Sequence, residues 1–301
     1  MKEYFPILEW FPKLSKNIVQ KDFIAGITVG IMLVPQGMAY ALLAGLPPVF
    51  GLYAALPQVI YALMGTSRQL SVGPVAMDSL LVASGLAALK LSGIEEYISM
   101  AIFLAFFMGL IQIILGFLRM GFLVNFLSQP VISGFTSAAA IIIGLSQLKH
   151  LVGVSLETSS KIHLIIFELF EKVSQIHLLS LLIGIIGIIT LVLLKKINTS
   201  IPGAIIAVII SSLWIKFFGQ QSGVSIVGFV PEGLPSFKLP EIALSDISKV
   251  LPLAITLTLI AFMKSISIAK AIEEKKDYTV NPNRELIALG ASNIIGSLFQ
   301  S

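Results

Sequence analysis

Cysteine is missing from all 301 residues, which removes disulfides, thiolate metal sites and Cys nucleophiles. Charge is scarce as well. Asp, Glu, Lys and Arg make up 12% of the chain, about half the roughly 25% of an average soluble protein, too few to build a water-facing surface. There are three histidines, His150, His163 and His177, and they lack metal-ligand spacing. No H-E-x-x-H zinc motif or G-x-S-x-G elbow occurs, and no histidine neighbours a candidate serine nucleophile. The chain is therefore read as a non-enzyme with no catalytic residue, metal or cofactor. A cleavable leader is not visible, because the first apolar run begins near Phe23, behind Lys13, Lys16 and Lys21, and is too long for one. The net charge of +4 and pI near 9.2 do not point to nucleic acid. The basic residues stand singly between apolar runs, as membrane anchors do.

What the chain has is apolar length. Hydrophobic residues fill 56% of it, in nine runs long enough for membrane helices: 22–44, 46–64, 71–89, 98–118, 122–148, 178–194, 202–218, 249–271 and 284–300. An N-terminus in the cytoplasm puts twelve Lys and Arg residues inside, among them Lys13, Lys16, Lys21, Arg68, Arg119, Lys195, Lys196 and Lys270, against seven outside, including Lys90, Lys149 and Lys249. The positive-inside rule favours that orientation. Residues 161–173, with Ile162, Ile165, Ile166, Leu169 and Phe170 on one side, predict an amphipathic surface helix. The Gly- and Pro-rich stretch 219–248 is the longest link.

Two spans are irregular. Pro35-Gln36-Gly37 lies inside the first, where proline removes a backbone hydrogen bond and glycine tolerates a break. The third follows a strand-like piece, Gln69-Leu70-Ser71-Val72, and opens on Gly73-Pro74, so that it reads as a half-helix starting within the membrane with proline at its first position. Interrupted helices at membrane depth line cavities and mark substrate sites in transporters. An anion entering hydrocarbon must exchange its water for fixed donors and positive potential, and the start of a half-helix supplies both. Here the N–H groups of Val75, Ala76 and Met77 are the expected donors. Gln36 and Tyr40, one turn apart, face one side of the first span; the amide suits an oxyanion and the ring can shape a pocket. Asp78 and Lys264 are the only charges expected deep in a span, where such groups mark a pathway or a partner. Gly26 and Gly30 read as a packing pair, Glu95, Glu96, Glu273 and Glu274 as loop charges, and Asn283 with Glu285 as the cap of the ninth span.

The run 35–81, PQGMAYALLAGLPPVFGLYAALPQVIYALMGTSRQLSVGPVAMDSLL, strongly resembles the sulfate permease (SulP) family of anion carriers. Further similar stretches are 128–148, Val230-Pro231-Glu232-Gly233-Leu234-Pro235, and 266–299 with its NRELIALGASNIIGSLF ending. The resemblance implies an all-α membrane protein, the first half of a seven-plus-seven inverted-repeat transporter fold with short strand segments before its half-helices. It further implies a gate and a core subdomain, elevator-like movement, and a cytoplasmic STAS domain after the last span. On that pattern residues 1–21 are a cytoplasmic segment, 22–218 the first repeat, 219–248 an extracytoplasmic loop and 249–301 the start of a truncated second repeat. The chain then reads as a fragment that does not transport alone.

In the resembling family the positions of Gln36 and Tyr40 contact substrate. Many relatives carry a glutamate, linked to proton coupling, where this chain has Lys264 in Lys264-Ser265-Ile266-Ser267-Ile268-Ala269-Lys270-Ala271. That departure puts proton symport in doubt and suggests that Asp78 and Lys264 pair. The implied function is secondary active transport of an inorganic anion, sulfate by default, across the cytoplasmic membrane, with sodium or a proton as a candidate coupling ion and a homodimer when full length. Bicarbonate, chloride and dicarboxylate exchange are alternatives within the family, and a nucleobase permease of the same architecture is the rival outside it.

The cysteine-free background makes the orientation directly testable. A single Cys at position 196 is expected to label with a membrane-impermeant maleimide only from the cytoplasm, and one at 158 only from outside; the reverse pattern overturns the N-inside topology.

Overall fold

The computed structural model describes residues 5–122, 129–154, 162–197, 203–218, 223–224, 226, 233–240, 244–273 and 278–301. Ser128, position 158, Lys161, Val230, Pro231, Glu232, Glu274, Lys275 and Lys276 lie outside them. The described residues form helices α1 (Ile7–Trp10), α2 (Lys16–Leu43), α3 (Pro48–Tyr53), α4 (Leu56–Met64), α5 (Ala76–Ala87), α6 (Ile94–Phe117), α7 (Gln129–Val152), α8 (Ile162–Glu171), α9 (Leu178–Ile197), α10 (Gly203–Phe218), α11 (Leu244–Glu273) and α12 (Pro282–Leu298). Among the described residues, four stretches, Lys16–Leu43, Ile94–Phe117, Leu178–Ile197 and Asp246–Glu273, are long and apolar enough to cross a membrane. A bilayer core of about 30 Å needs some 20 helical residues. The 12 residues of α5 reach only about 18 Å at 1.5 Å per residue, so α5 is a half-span.

Three local expectations need correction. The first span is not interrupted, because α2 runs as one 28-residue helix with Pro35 inside it; a single proline costs one backbone bond, and the remaining turns carry the helix past it. The stretch before α5 is extended but forms no strand, for no strand occurs among the described residues and a strand needs a paired neighbour. Lastly, α5 begins two residues later than Pro74, since Val75 is extended (φ −133°, ψ 137°) and stands as the N-cap. A β-branched side chain favours that conformation.

The chain divides into two compact units interleaved along the sequence. The first comprises residues 1–22, 36–132 and 231–301. Its axis is the packing of α12 along α6, and α12 is buried along most of its length, from Glu285 to Ser297. Lipid tails are as apolar as leucine, so helices in a bilayer gain by close approach rather than by hiding oil from water. Gly109 and Gly290 provide that approach: a Cβ on Gly109 would stand 2.7 Å from the Gly290 carbonyl oxygen, and one on Gly290 2.6 Å from that of Gly109. On another side of α6, Phe103 and Leu104 pack with Val250, Ala254 and Leu257 of α11 and Leu86 of α5. A separate cluster joins Tyr61 of α4, Phe262 and Ile266 of α11, and Leu286 and Leu289 of α12. The second unit comprises residues 23–35 and 133–230. Within it α9 and α10 pack on each other, and α9 buries none of its residues, leaving Ile186 and Val192 exposed. An apolar helix with so little of its surface covered is stable in lipid, where its backbone is satisfied internally.

Gly109→Val places two methyl groups where the partner backbone already stands. Overpacking of this kind costs about 1–3 kcal/mol, so the variant is expected to show a clearly lower melting temperature in detergent, whereas Gly93→Val, with nothing within 4 Å of its Cβ position, gives a reference for backbone strain alone.

Candidate functional site

The site is assembled by the connection from α4 into α5. Gly65 closes α4, its N–H donating to the Tyr61 carbonyl at 2.6 Å. The chain then runs extended, with Leu70 and Val72 set against the cluster around Tyr61 and Ile266; these alternate positions point the same way, as in a strand. This apolar anchoring brings Gly73, Pro74 and Val75 to the start of α5. No side chain caps that start, and the first helical bond is Ser79 N–H to the Val75 carbonyl at 3.0 Å. The N–H groups of Val75, Ala76 and Met77 therefore have no partner within the helix, and the positive end of its dipole is left open.

A cavity of about 260 Å³ lies against this helix start, lined by Tyr40, Phe50, Pro74, Val75, Asp78 and Ser79 among others, with Ser292 and Asn293 of α12. Tyr40 reaches it because α2 and α3 touch backbone to backbone at Gly37 and Gly51, where a Cβ on Gly37 would lie 2.5 Å from the Gly51 carbonyl oxygen. Gln36 stands one turn before Tyr40, exposed, and its Nε2 donates to Tyr40 Oη at 3.0 Å. Asn293 is held from behind by a 2.8 Å hydrogen bond from its Nδ2 to Oε1 of the buried Gln112.

Asp78 occupies the first turn of α5, and Lys264 of α11 donates its ammonium to Asp78 Oδ2. Both side chains are mostly covered, 22% exposed for Lys264 and 28% for Asp78. The other carboxylate oxygen, Oδ1, is buried and takes no hydrogen bond from the described residues. Electrostatically the arrangement has three parts: the helix end contributes about half a positive charge, Asp78 opposes it, and Lys264 cancels Asp78.

Of the residues expected from sequence, Tyr40, Gly73, Pro74, Val75 and Asp78 line the cavity, while Gln36, Ala76, Met77 and Lys264 do not. Sequence reasoning did not foresee Phe50, Ser292 or Asn293 at the cavity, and it misplaced a cap. The cap of α12 is Asn281, whose Oδ1 accepts from the N–H groups of Asn283 and Arg284 at 3.0 and 3.3 Å. Asn281-Pro282, an acceptor followed by proline at the first helical position, was the better signal. Asn283 Oδ1 instead accepts from the Gly121 N–H at 2.7 Å. Glu285 is fully buried, so a third charge lies inside the protein besides Asp78 and Lys264. Among the described residues no three His, Cys, Asp or Glu side chains converge on a metal site.

The sulfate permease family model matches residues 19–301. The chain is 39% identical to the chloroplastic sulfate transporter 4.1 of Arabidopsis thaliana over 99% of its length, covering 44% of that protein. It is 33% identical to the sodium-independent sulfate anion transporter of Bos taurus, covering all of this chain and 54% of the relative. Its fold matches the inward-facing structure of the murine solute carrier 26 family member A9 anion transporter with a TM-score of 0.89 at 28% identity, over 99% of this chain and 53% of that one. The chain thus spans about half the length of the relatives it matches. With the half-helix, its open N-terminus and the match across residues 19–301, the chain belongs to the sulfate permease family.

Proposed function

We propose that this chain supplies the first half of an anion site in a secondary active transporter, with sulfate as the substrate. The observation that carries the proposal is the uncapped start of α5 opening on the cavity beside Tyr40. The free backbone N–H groups at the start of α5 and the helix dipole meet the charge, as helix N-termini do for phosphate and sulfate, and Tyr40 lines the cavity while Gln36 holds its hydroxyl from one turn away. The relatives named as sulfate transporters support sulfate; chloride, bicarbonate and dicarboxylates are the other anions to test. The carrier sits in the cytoplasmic membrane with its N-terminus inside, works as a homodimer, and moves the site by an elevator-like displacement.

The Asp78–Lys264 contact gives this site its coupling behaviour. Lys264 acts as a tethered cation: it neutralises Asp78, keeps the helix end net positive, and takes the place a sodium ion or proton would fill. Transport is then independent of both gradients, in keeping with the sodium-independent name of the bovine relative. A second reading is favoured by the unpartnered Asp78 Oδ1. In it Asp78 holds a sodium ion or proton of its own while Lys264 draws the anion.

Proteoliposome uptake by the full-length carrier, with sulfate, chloride, bicarbonate, oxalate and uracil under imposed proton and sodium gradients, tests the function; uptake of uracil alone would overturn it. Tyr40→Ala and Gln36→Ala are expected to weaken sulfate binding roughly ten- to a hundredfold, the equivalent of about 1.5–3 kcal/mol for a hydrogen bond to a charged group, without a matching loss of melting temperature.

The pair is tested by two variants. Lys264→Gln leaves Asp78 uncompensated beside the anion and is expected to cut uptake at least about tenfold, equivalent to 1.4 kcal/mol or more. Asp78→Asn with Lys264→Gln removes both charges and recovers most of that loss. Failure of the double variant to recover, or sodium- or proton-dependent uptake by the unaltered carrier, favours the second reading.

A further inference from the structure

Glu285 is the buried charge that the anion site leaves unused. It lies in the first turn of α12 with no exposed surface, and its carboxylate accepts four hydrogen bonds. Tyr61 Oη donates to Oε2 at 2.6 Å. Oε1 accepts from the Thr66 N–H at 2.6 Å, the Thr66 hydroxyl at 2.5 Å and the Ser67 N–H at 3.1 Å. Thr66 Oγ1 in turn accepts from the Asn281 N–H at 3.2 Å, so the turn after α4 is bonded to both the cap and the first turn of α12. Two residues further on, Tyr278 Oη donates to Gln69 Oε1 at 2.5 Å.

These bonds converge on a segment of the first unit that lacks a regular ladder. From Arg68 to Val75 the chain is irregular and extended, and no strand pairs with it among the described residues. Where that segment ends fixes where α5 begins, and its near end is the turn that Glu285 holds. A buried carboxylate is costly unless its oxygens are filled. Glu285 meets that condition only while Tyr61, Thr66 and Ser67 keep their places, so the charge penalises any displacement of the turn. Neutral side chains would tolerate slippage that the carboxylate does not.

We propose that Glu285 is a positioning residue for the anion site: by clamping Thr66 and Ser67 it fixes the segment leading into α5, and so the location of the Val75, Ala76 and Met77 N–H groups. The role rests on the assignment of the anion to the start of α5, and it acts without contact, since Glu285 is not part of the cavity lining.

The test uses the full-length carrier in proteoliposomes with sulfate as the probe. Half-saturation, maximal rate and melting temperature are measured for Glu285→Ala, Glu285→Gln and, as a control on the site itself, Tyr40→Ala. Glu285→Ala frees the turn and is expected to raise the half-saturation concentration by about tenfold or more, as for loss of hydrogen bonds to a charged group, with the maximal rate of the folded protein altered far less. Glu285→Gln keeps one acceptor oxygen for the Thr66 and Ser67 N–H groups, while Tyr61 can turn its hydroxyl to accept from the amide. It is expected to restore most of the affinity, leaving a two- to threefold deficit at about 0.4–0.65 kcal/mol. Should Glu285→Ala not fold, Glu285→Gln decides: a measurable rise in half-saturation supports the role. A lowered melting temperature with unchanged half-saturation in every folded Glu285 variant overturns it. If Tyr40→Ala leaves half-saturation unchanged, the anion does not sit at α5, and the site assignment falls whatever Glu285 does.

Discussion

Everything in the first unit answers to one constraint: α5 starts inside the protein with its first N–H groups unpaired. A helix end of this kind is unstable in an apolar setting, because each unmatched donor there costs several kcal/mol in principle. The protein leaves the end open and rigidly supported rather than capping it. Support comes from apolar pegs on the approach, Leu70 and Val72, from the packing of Leu86 at the far end of α5 against α6 and α11, and from the glycine contact that seats Tyr40.

The two kinds of internal charge are handled in different ways. Asp78 meets an opposite charge on another helix, Lys264, and keeps one oxygen without a hydrogen bond from the described residues. Glu285 meets neutral donors, two hydroxyls and two backbone N–H groups, in a pocket closed to solvent. An ion pair tolerates small shifts because Coulomb attraction falls slowly with distance, whereas hydrogen bonds weaken steeply with angle. The first arrangement suits a place where an ion comes and goes. The second suits a fixed point.

The helices were legible because length and apolarity alone mark a span, and the runs at 98–118, 178–194 and 249–271 coincide with α6, α9 and α11 to within a few residues. The half-helix was legible from Gly73-Pro74, although Val75 delayed its start. The contact of Asp78 with Lys264 was legible because two isolated charges in apolar runs have few ways to be satisfied. Pro35 misled, since the cost of one lost bond is known but the support of the surrounding turns is not written locally. Glu285 misled for the opposite reason. An acid in the first turn of a helix is ordinary on a surface, and nothing near it in sequence reveals that Tyr61 and Thr66, more than 200 residues earlier, will enclose it. Burial is a property of the whole fold and only then of the residue.

The glycine seam between α6 and α12 has a mechanical corollary. Backbone lies on backbone at Gly109 and Gly290 with no room for even a methyl group, so there is no void for hydrostatic pressure to collapse. The cavity beside α5, about 260 Å³, is the opposite case. Folded proteins give way to pressure in proportion to the empty volume they lose, so the seam offers pressure nothing to collapse, whereas the site has volume that can be lost. The first unit is thus soft where it faces its cavity and stiff along the helices that carry it.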